Sequence, residues 1–262
     1  MTGEPSLAVV LRAQPLRESD LLVTLFTDSH GRVSAVARGA RKSQRRFAGA
    51  LQLLVLARVQ LGRPPRGELW SLERAEIVRE WTSLASNVVA VAHASYIAEL
   101  VGALLPAESP EPHALELVTA MWDSLAEGGP SPAALRASEL VLLELAGHTP
   151  ALEACAACGE TDLASGAVFD PTRGGAICRR CAAQSRGPGV RPLDAATRAY
   201  LVAAQLAGAP GPARALDTDP AFSAADRVAA RDAMLAMVTS YVDRPLRSLE
   251  YLAKLRSTLV NR

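Results

Sequence analysis

Lysine is almost missing from this chain: of its 28 basic residues only Lys42 and Lys254 are not arginine. Aromatic residues make up 4% of the sequence and histidine occurs four times. These shortages exclude several chemistries. Lys42-Ser43 looks like the end of a nucleotide-hydrolysing P-loop, but that loop needs Gly where Val36 and Arg41 stand. His30, His93, His113 and His148 fall on different elements, in no ligand or base spacing, and read as surface or helix-end residues. Trp70, Trp81 and Trp122 read as core, and the carboxylates of Glu139 and Glu144 as solvated helix faces. No catalytic constellation is left, so the chain is not expected to be an enzyme. Long hydrophobic runs are also lacking, since Asn87, His93 and Glu99 break the apolar stretch from Leu84 to Leu105. The start, Met1 to Pro5, has Glu4 and no basic region. Neither a signal peptide nor a membrane span is expected, and a cytoplasmic address follows.

A local absence says more. From Ser29 to Arg66 there is no Asp or Glu, while Arg32, Arg38, Arg41, Lys42, Arg45, Arg46, Arg58, Arg63 and Arg66 all lie inside that window. The density peaks between Gly31 and Phe47. Residues 1–80 hold 13 basic and 8 acidic side chains (net +5), residues 81–150 hold 1 and 8 (net −7), and residues 151–262 hold 14 and 11 (net +3). A basic head and an acidic middle thus hide in a total of +1. Such an asymmetry is the footprint of a polyanion site, and Arg38, Arg41, Lys42, Arg45, Arg46 and Arg32 are its candidate residues. With only Phe26, Phe47 and Trp70 nearby, binding should be driven by the backbone, tolerant of sequence and sensitive to salt.

With 49% hydrophobic residues and 262 positions, the chain has material for more than one core. Short apolar runs at Leu7–Leu11, Leu21–Thr27, Arg32–Ala37, Leu53–Leu61 and Leu69–Ile77 predict five strands, with Asp28 to Gly31 as a turn. Five short strands in this length suit a small closed barrel, of OB or SH3-like type. From Ser83 the period becomes helical. Helices are expected up to Pro106, around Leu115–Leu125, and from Ser131 as N-cap with Pro132 behind it to Leu145, with 106–112 as a linker. Three more follow at Ala195–Leu206, Ala224–Val242 and Leu249–Leu259, the middle one opened by a capping box of Ser223 and Asp226. The expected organisation is α+β and multidomain: a nucleic-acid-binding barrel at 1–80, a helical domain in two parts at 81–150 and 191–262, and a cysteine module at 151–190.

Cys155, Cys158, Cys178 and Cys181 form C-x2-C-x19-C-x2-C, within the spacing range of a four-thiolate zinc site. Without a secretory signal, metal ligation is favoured over disulfides. Gly174-Gly175 predicts a hairpin leading into the second pair. Four thiolates close a tetrahedral shell, so one structural Zn2+ and no catalytic water is the expectation. Arg173, Arg179, Arg180 and Arg186 make the module mildly basic and read as solvated surface.

The order of these features resembles a known family. An opening strand followed by Arg17-Glu18-Ser19-Asp20, then Gly31 leading to Arg38-Gly39-Ala40-Arg41-Lys42-Ser43 and Leu51-Gln52, is similar to the bacterial DNA repair protein family RecO. Tyr96 to Leu100, the helix end Glu144 to Pro150 running into Cys155, and Arg244 to Leu249 continue the likeness over nearly the whole chain. The resemblance implies an N-terminal OB-fold, a helical bundle and a zinc-ribbon-like module. It also implies a recombination mediator, nucleoid-associated, that binds single- and double-stranded DNA and anneals strands coated with single-strand-binding protein (SSB). With RecR, such a protein helps to load RecA. Arg38, Arg41, Lys42, Arg45 and Arg46 match the family's basic loop; no residues match an SSB-tail pocket. Composition by itself also allows an RNA-binding or ribosome-associated protein built of OB and zinc-ribbon parts.

Overall fold

The computed structural model describes residues 4–43, 45–63 and 67–260, without the side chains of 256–260. Arg66, one end of the acid-free window, lies outside the described residues. Two compact units emerge, one made of Met1–Gly129 with Leu246–Arg262 and the other of Pro130–Pro245.

In the first unit, β1 (Ser6–Pro15), β2 (Leu21–Thr27), β3 (Gly31–Ala37), β4 (Val55–Gly62) and β5 (Trp70–Glu80) form a closed barrel in the order β1-β2-β3-β5-β4. All neighbours are antiparallel except β3 and β5, whose parallel seam covers only Ala35↔Trp70 and Val36↔Ser71. This is the five-stranded OB arrangement. Alternation builds it: Val33, Ala35 and Ala37 point into the core with Val23, Leu25, Ala57 and Val59, while Ser34 and Val36 stay half-exposed. The alanines leave room for Trp70 and Leu72 in a narrow interior.

A short 3-10 turn, Thr82–Ser86, leads to α1 (Val88–Leu104), whose N-terminal amides at Val89 and Ala90 are capped by the Asn87 side chain. Next, α2 (Pro112–Gly128) begins with Pro at its first turn. The segment 106–112, expected to be a linker, is bound to the barrel. Glu108 N–H donates to Arg32 O, Trp70 Nε1 donates to Glu108 Oε1 at 3.1 Å, and a Cβ on Gly31 would lie 2.0 Å from Ser109 O. Gly31 is therefore required both by its left-handed φ of 62° and by the chain crossing over it.

The second unit starts with α3 (Pro132–Leu145), capped by Ser131 as the sequence predicts. A sheet in the order β7-β6-β8 follows, made of β6 (Ala167–Asp170), β7 (Gly175–Cys178) and the unforeseen β8 (Arg191–Leu193). One turn of helix, α4 (Arg179–Ala182), carries the last cysteine. Then come α5 (Ala195–Ala207), the short α6 (Pro210–Ala213) and α7 (Ala224–Tyr241), which opens with the predicted capping box. The last helix, α8 (Arg247–Val260), belongs to the first unit.

Some side chains sit differently from their sequence reading. Glu139 is 1% exposed and is paired at 2.7 Å with Arg136, the single basic residue of the acidic middle; burial of α3 on most of its faces puts it there. His93 is likewise buried within α1. Trp70, Trp81 and Trp122 are buried, as the sequence suggests. Among the described residues, no helix is long and apolar enough to cross a membrane.

Candidate nucleic-acid interface and metal centre

Beyond Ala37, β3 gives way to a loop that reaches β4 only at Val55. Its second half is an anchor. Phe47, Ala50 and Leu51 join the barrel core, and Arg46 O accepts a hydrogen bond from Ala75 N at 2.9 Å, so the loop continues beside β5 where the parallel seam stops. Its first half is held by the β1–β2 turn. Asp20 Oδ1 accepts from Gly39 N at 2.8 Å, Ser19 O from Arg41 N at 3.1 Å, and Glu18 O from Arg41 Nη1 at 2.9 Å. Between these anchors Arg38, Arg41, Lys42, Arg45 and Arg46 are all exposed. Arg46 Nη2 also donates to Arg38 O at 2.6 Å, and its guanidinium lies 5.1 Å from the centre of the buried Phe47 ring. The Asp20 carboxyl is held below the usual carboxylate range, chiefly by the Gly39 N–H, with Ser19, Arg17 and Arg38 adding to it.

Five of the six candidate basic residues therefore share one loop. The sixth, Arg32, is at the other end of β3, about 20 Å away along an extended strand, beside the segment that crosses Gly31. It lines a cavity of about 530 Å3 with Glu68, Leu69 and Glu108. Sequence reasoning missed the contribution of residues 17–20 to this loop. Their mixed signs hide it, although Arg17 is exposed beside the loop and Asp20 touches it. The lack of exposed aromatics is real here: Phe26, Phe47 and Trp70 are all buried, so the loop offers cations and no stacking platform.

The four cysteines converge. Their Sγ atoms all lie within 4.8 Å of one another, and Cys158 Sγ is 3.8 Å from Cys178 Sγ. Thiolates about 2.3 Å from a tetrahedral metal ion would be about 3.8 Å apart. Local turns bring them there. Gly159, at φ 74°, donates to Cys155 O at 2.8 Å, and Cys178 N donates to Cys155 Sγ at 3.3 Å. The predicted hairpin turns at Gly174 and Gly175; at the latter a Cβ would meet Ala151 O at 2.3 Å. Burial raises the Cys155 thiol, but N–H groups of Cys178, Ala157 and Cys158 outweigh it and bring the thiol down to about 6. Cys158 is lowered by the Glu160 N–H and by the Arg180 guanidinium, whereas Cys181 is pushed up to about 12 by its bonds to Cys158 and Cys178. So many sulfurs in one place cannot all ionise without a cation, and the donor set suits a metal ion that prefers thiolate. Arg180 and Arg173 are not merely solvated, since they bond Cys158 Sγ and Cys181 O.

Comparison with known proteins covers both units. A family model described as Recombination protein O N terminal matches residues 1–81, and one described as Recombination protein O C terminal matches residues 85–250. The chain is 40% identical over 248 residues to the DNA repair protein RecO of Anaeromyxobacter sp. (strain K), covering 93% of each chain. To the protein of that name from Geobacter sulfurreducens it is 40% identical over 174 residues, 66% of this chain and 71% of the relative. To that of Geobacter metallireducens it is 32% identical over 248 residues, 95% and 96% of the two chains.

Proposed function

The chain belongs to the RecO family of DNA repair proteins, and from that premise we propose that it is a non-enzymatic recombination mediator whose barrel loop binds DNA phosphates. One observation carries the proposal: Arg38, Arg41, Lys42, Arg45 and Arg46 are exposed together on a loop pinned at both ends, with the neighbouring aromatics turned inward. Cations without stacking platforms grip the sugar-phosphate chain and leave base edges unoccupied. A protein that brings complementary strands together needs that, because the bases must still pair. Guanidinium groups suit the task, since a planar fork can hold two phosphate oxygens at once. Binding extends to single and double strands, as phosphates are common to both. The protein then anneals strands coated with SSB and acts with RecR in loading RecA, in the cytoplasm at the nucleoid.

The clustered sulfurs of Cys155, Cys158, Cys178 and Cys181 support one zinc ion as the metal that the second unit would hold. Bound there, zinc would crosslink the two cysteine turns and take no part in a reaction, because four thiolates leave no open position. The test of function is strand annealing with and without SSB, comparing wild type with a variant in which Arg41, Lys42, Arg45 and Arg46 are all Ala. The variant should lose most annealing and retain its helical signal. Annealing at the wild-type rate would refute the reading, and a clear preference for RNA over a DNA strand of matched sequence would favour the RNA-binding alternative.

A further inference from the structure

The loop's five cations carry like charge and repel one another, so its fold needs other contacts to hold it. Its first half has few apolar anchors of its own, since Phe47, Ala50 and Leu51 all come after the charges. What holds it is the turn at 17–20: three hydrogen bonds reach Gly39 and Arg41, and Lys42 Nζ is 3.9 Å from Glu18 Oε1. The one side chain that residues 17–20 contribute to those three hydrogen bonds is the carboxylate of Asp20. It meets the backbone N–H of Gly39, where the chain adopts a left-handed φ of 67° and turns away from β3. Arg38 and Arg41, on either side of that turn, are both exposed.

We propose that Asp20 is a positioning residue for phosphate binding, an acid inside a basic site that fixes the loop in its binding shape through Gly39 and does not itself touch DNA. This rests on the reading of the loop as the DNA site. Its sign is unusual. A carboxylate beside Arg17 and Arg38 repels an incoming phosphate, so charge alone predicts tighter binding when it is removed. Positioning predicts weaker binding, because a loosened loop must be ordered again when DNA arrives.

Two substitutions separate the effects, since both remove the charge. Asp20→Asn keeps an oxygen for the Gly39 N–H, while Asp20→Ala does not. Full-length wild type, both variants and the variant with Arg41, Lys42, Arg45 and Arg46 changed to Ala are titrated with a fluorescent single-stranded oligonucleotide over a range of salt. Asp20→Asn should bind as tightly as wild type or more tightly, and Asp20→Ala about threefold to tenfold more weakly than Asp20→Asn. The salt slope should be the same in both, because the phosphate contacts are kept. Trypsin, which cuts after Arg and Lys, should cleave the free Asp20→Ala protein within residues 38–46 faster than it cleaves Asp20→Asn. Equal affinity of the two variants, with the four-alanine variant impaired, would overturn the role of Asp20 and leave the loop as the site. Wild-type binding by the four-alanine variant would remove the site and the proposal together. Should Asp20→Ala fail to fold, Asp20→Glu keeps the charge but displaces the acceptor. It should bind more weakly than wild type at an unchanged slope, and wild-type affinity there would equally overturn the proposal.

Discussion

Arg45 and Arg46 are neighbours with equal charge, yet the structure gives them different work, and this makes a quantitative prediction. Both are exposed, but Arg46 also donates to Arg38 O and lies over Phe47. If about four of the loop's cations neutralise phosphates on a single strand, log affinity should fall against log salt with a slope near −3, or about 60-fold between 50 and 200 mM salt. Changing Arg45 to Ala should make the slope shallower by about 0.7. Arg46→Ala should lose the same slope but more affinity, by a further ~1 kcal/mol or about fivefold, since a hydrogen bond within the loop goes too. Arg46→Lys is the discriminating variant: its charge keeps the slope, while loss of the guanidinium fork lowers affinity. Fluorescence anisotropy on an oligonucleotide of arbitrary sequence reads all three, and a second, unrelated oligonucleotide should give the same ratios. A wild-type slope in both alanine variants would show that these side chains do not meet phosphate, and the reasoning would fail.

Three other outcomes follow from the fold. Reduced, purified protein should hold one zinc per chain by metal analysis, and Cys155→Ser or Cys178→Ser should lower solubility or melting temperature without changing the salt slope; metal-free native protein would refute the site. Glu116→Gln and Glu144→Gln in the acidic middle should leave DNA affinity within about twofold at moderate salt, because both side chains are exposed and salt screens exposed charges; a tenfold change would mean that the surfaces are reversed. Arg136→Ala should cost about 3–5 kcal/mol, because it removes the ion-pair partner of the buried Glu139 carboxylate, and a melting temperature equal to wild type would contradict the burial.

The sequence made legible whatever repeats locally. Alternation in Leu53–Leu61 announces β4, Ser131-Pro132 announces the start of α3, and the cysteine spacing announces a shared centre. The basic loop was visible because its charges are contiguous in the chain. Contacts between distant residues leave no such trace. Nothing in the sequence shows that Glu99 accepts from Arg247 N at 3.1 Å and Ser248 N at 2.9 Å, although it caps α8 across 148 positions. A proline-rich segment looks like a linker by composition, and its contacts with Gly31, Arg32 and Trp70 reveal that 106–112 is fastened down. Asp20 escaped for a related reason: an acid in a turn carries no mark of the amide it holds.

That cap at Glu99 bears on the order in which the protein is made. The barrel unit consists of the first 129 residues and the stretch from Leu246 onward, so everything between is synthesised before the unit is complete. While the ribosome is still adding the second unit, α1 stands without Leu246 and Leu252, which are 5% and 4% exposed once in place, and Glu99 has no amides to receive. In a nascent chain the unit that carries the basic loop is thus unfinished until α8 emerges. A chain cut short anywhere after the cysteines would carry the basic loop on a unit that lacks its closing piece.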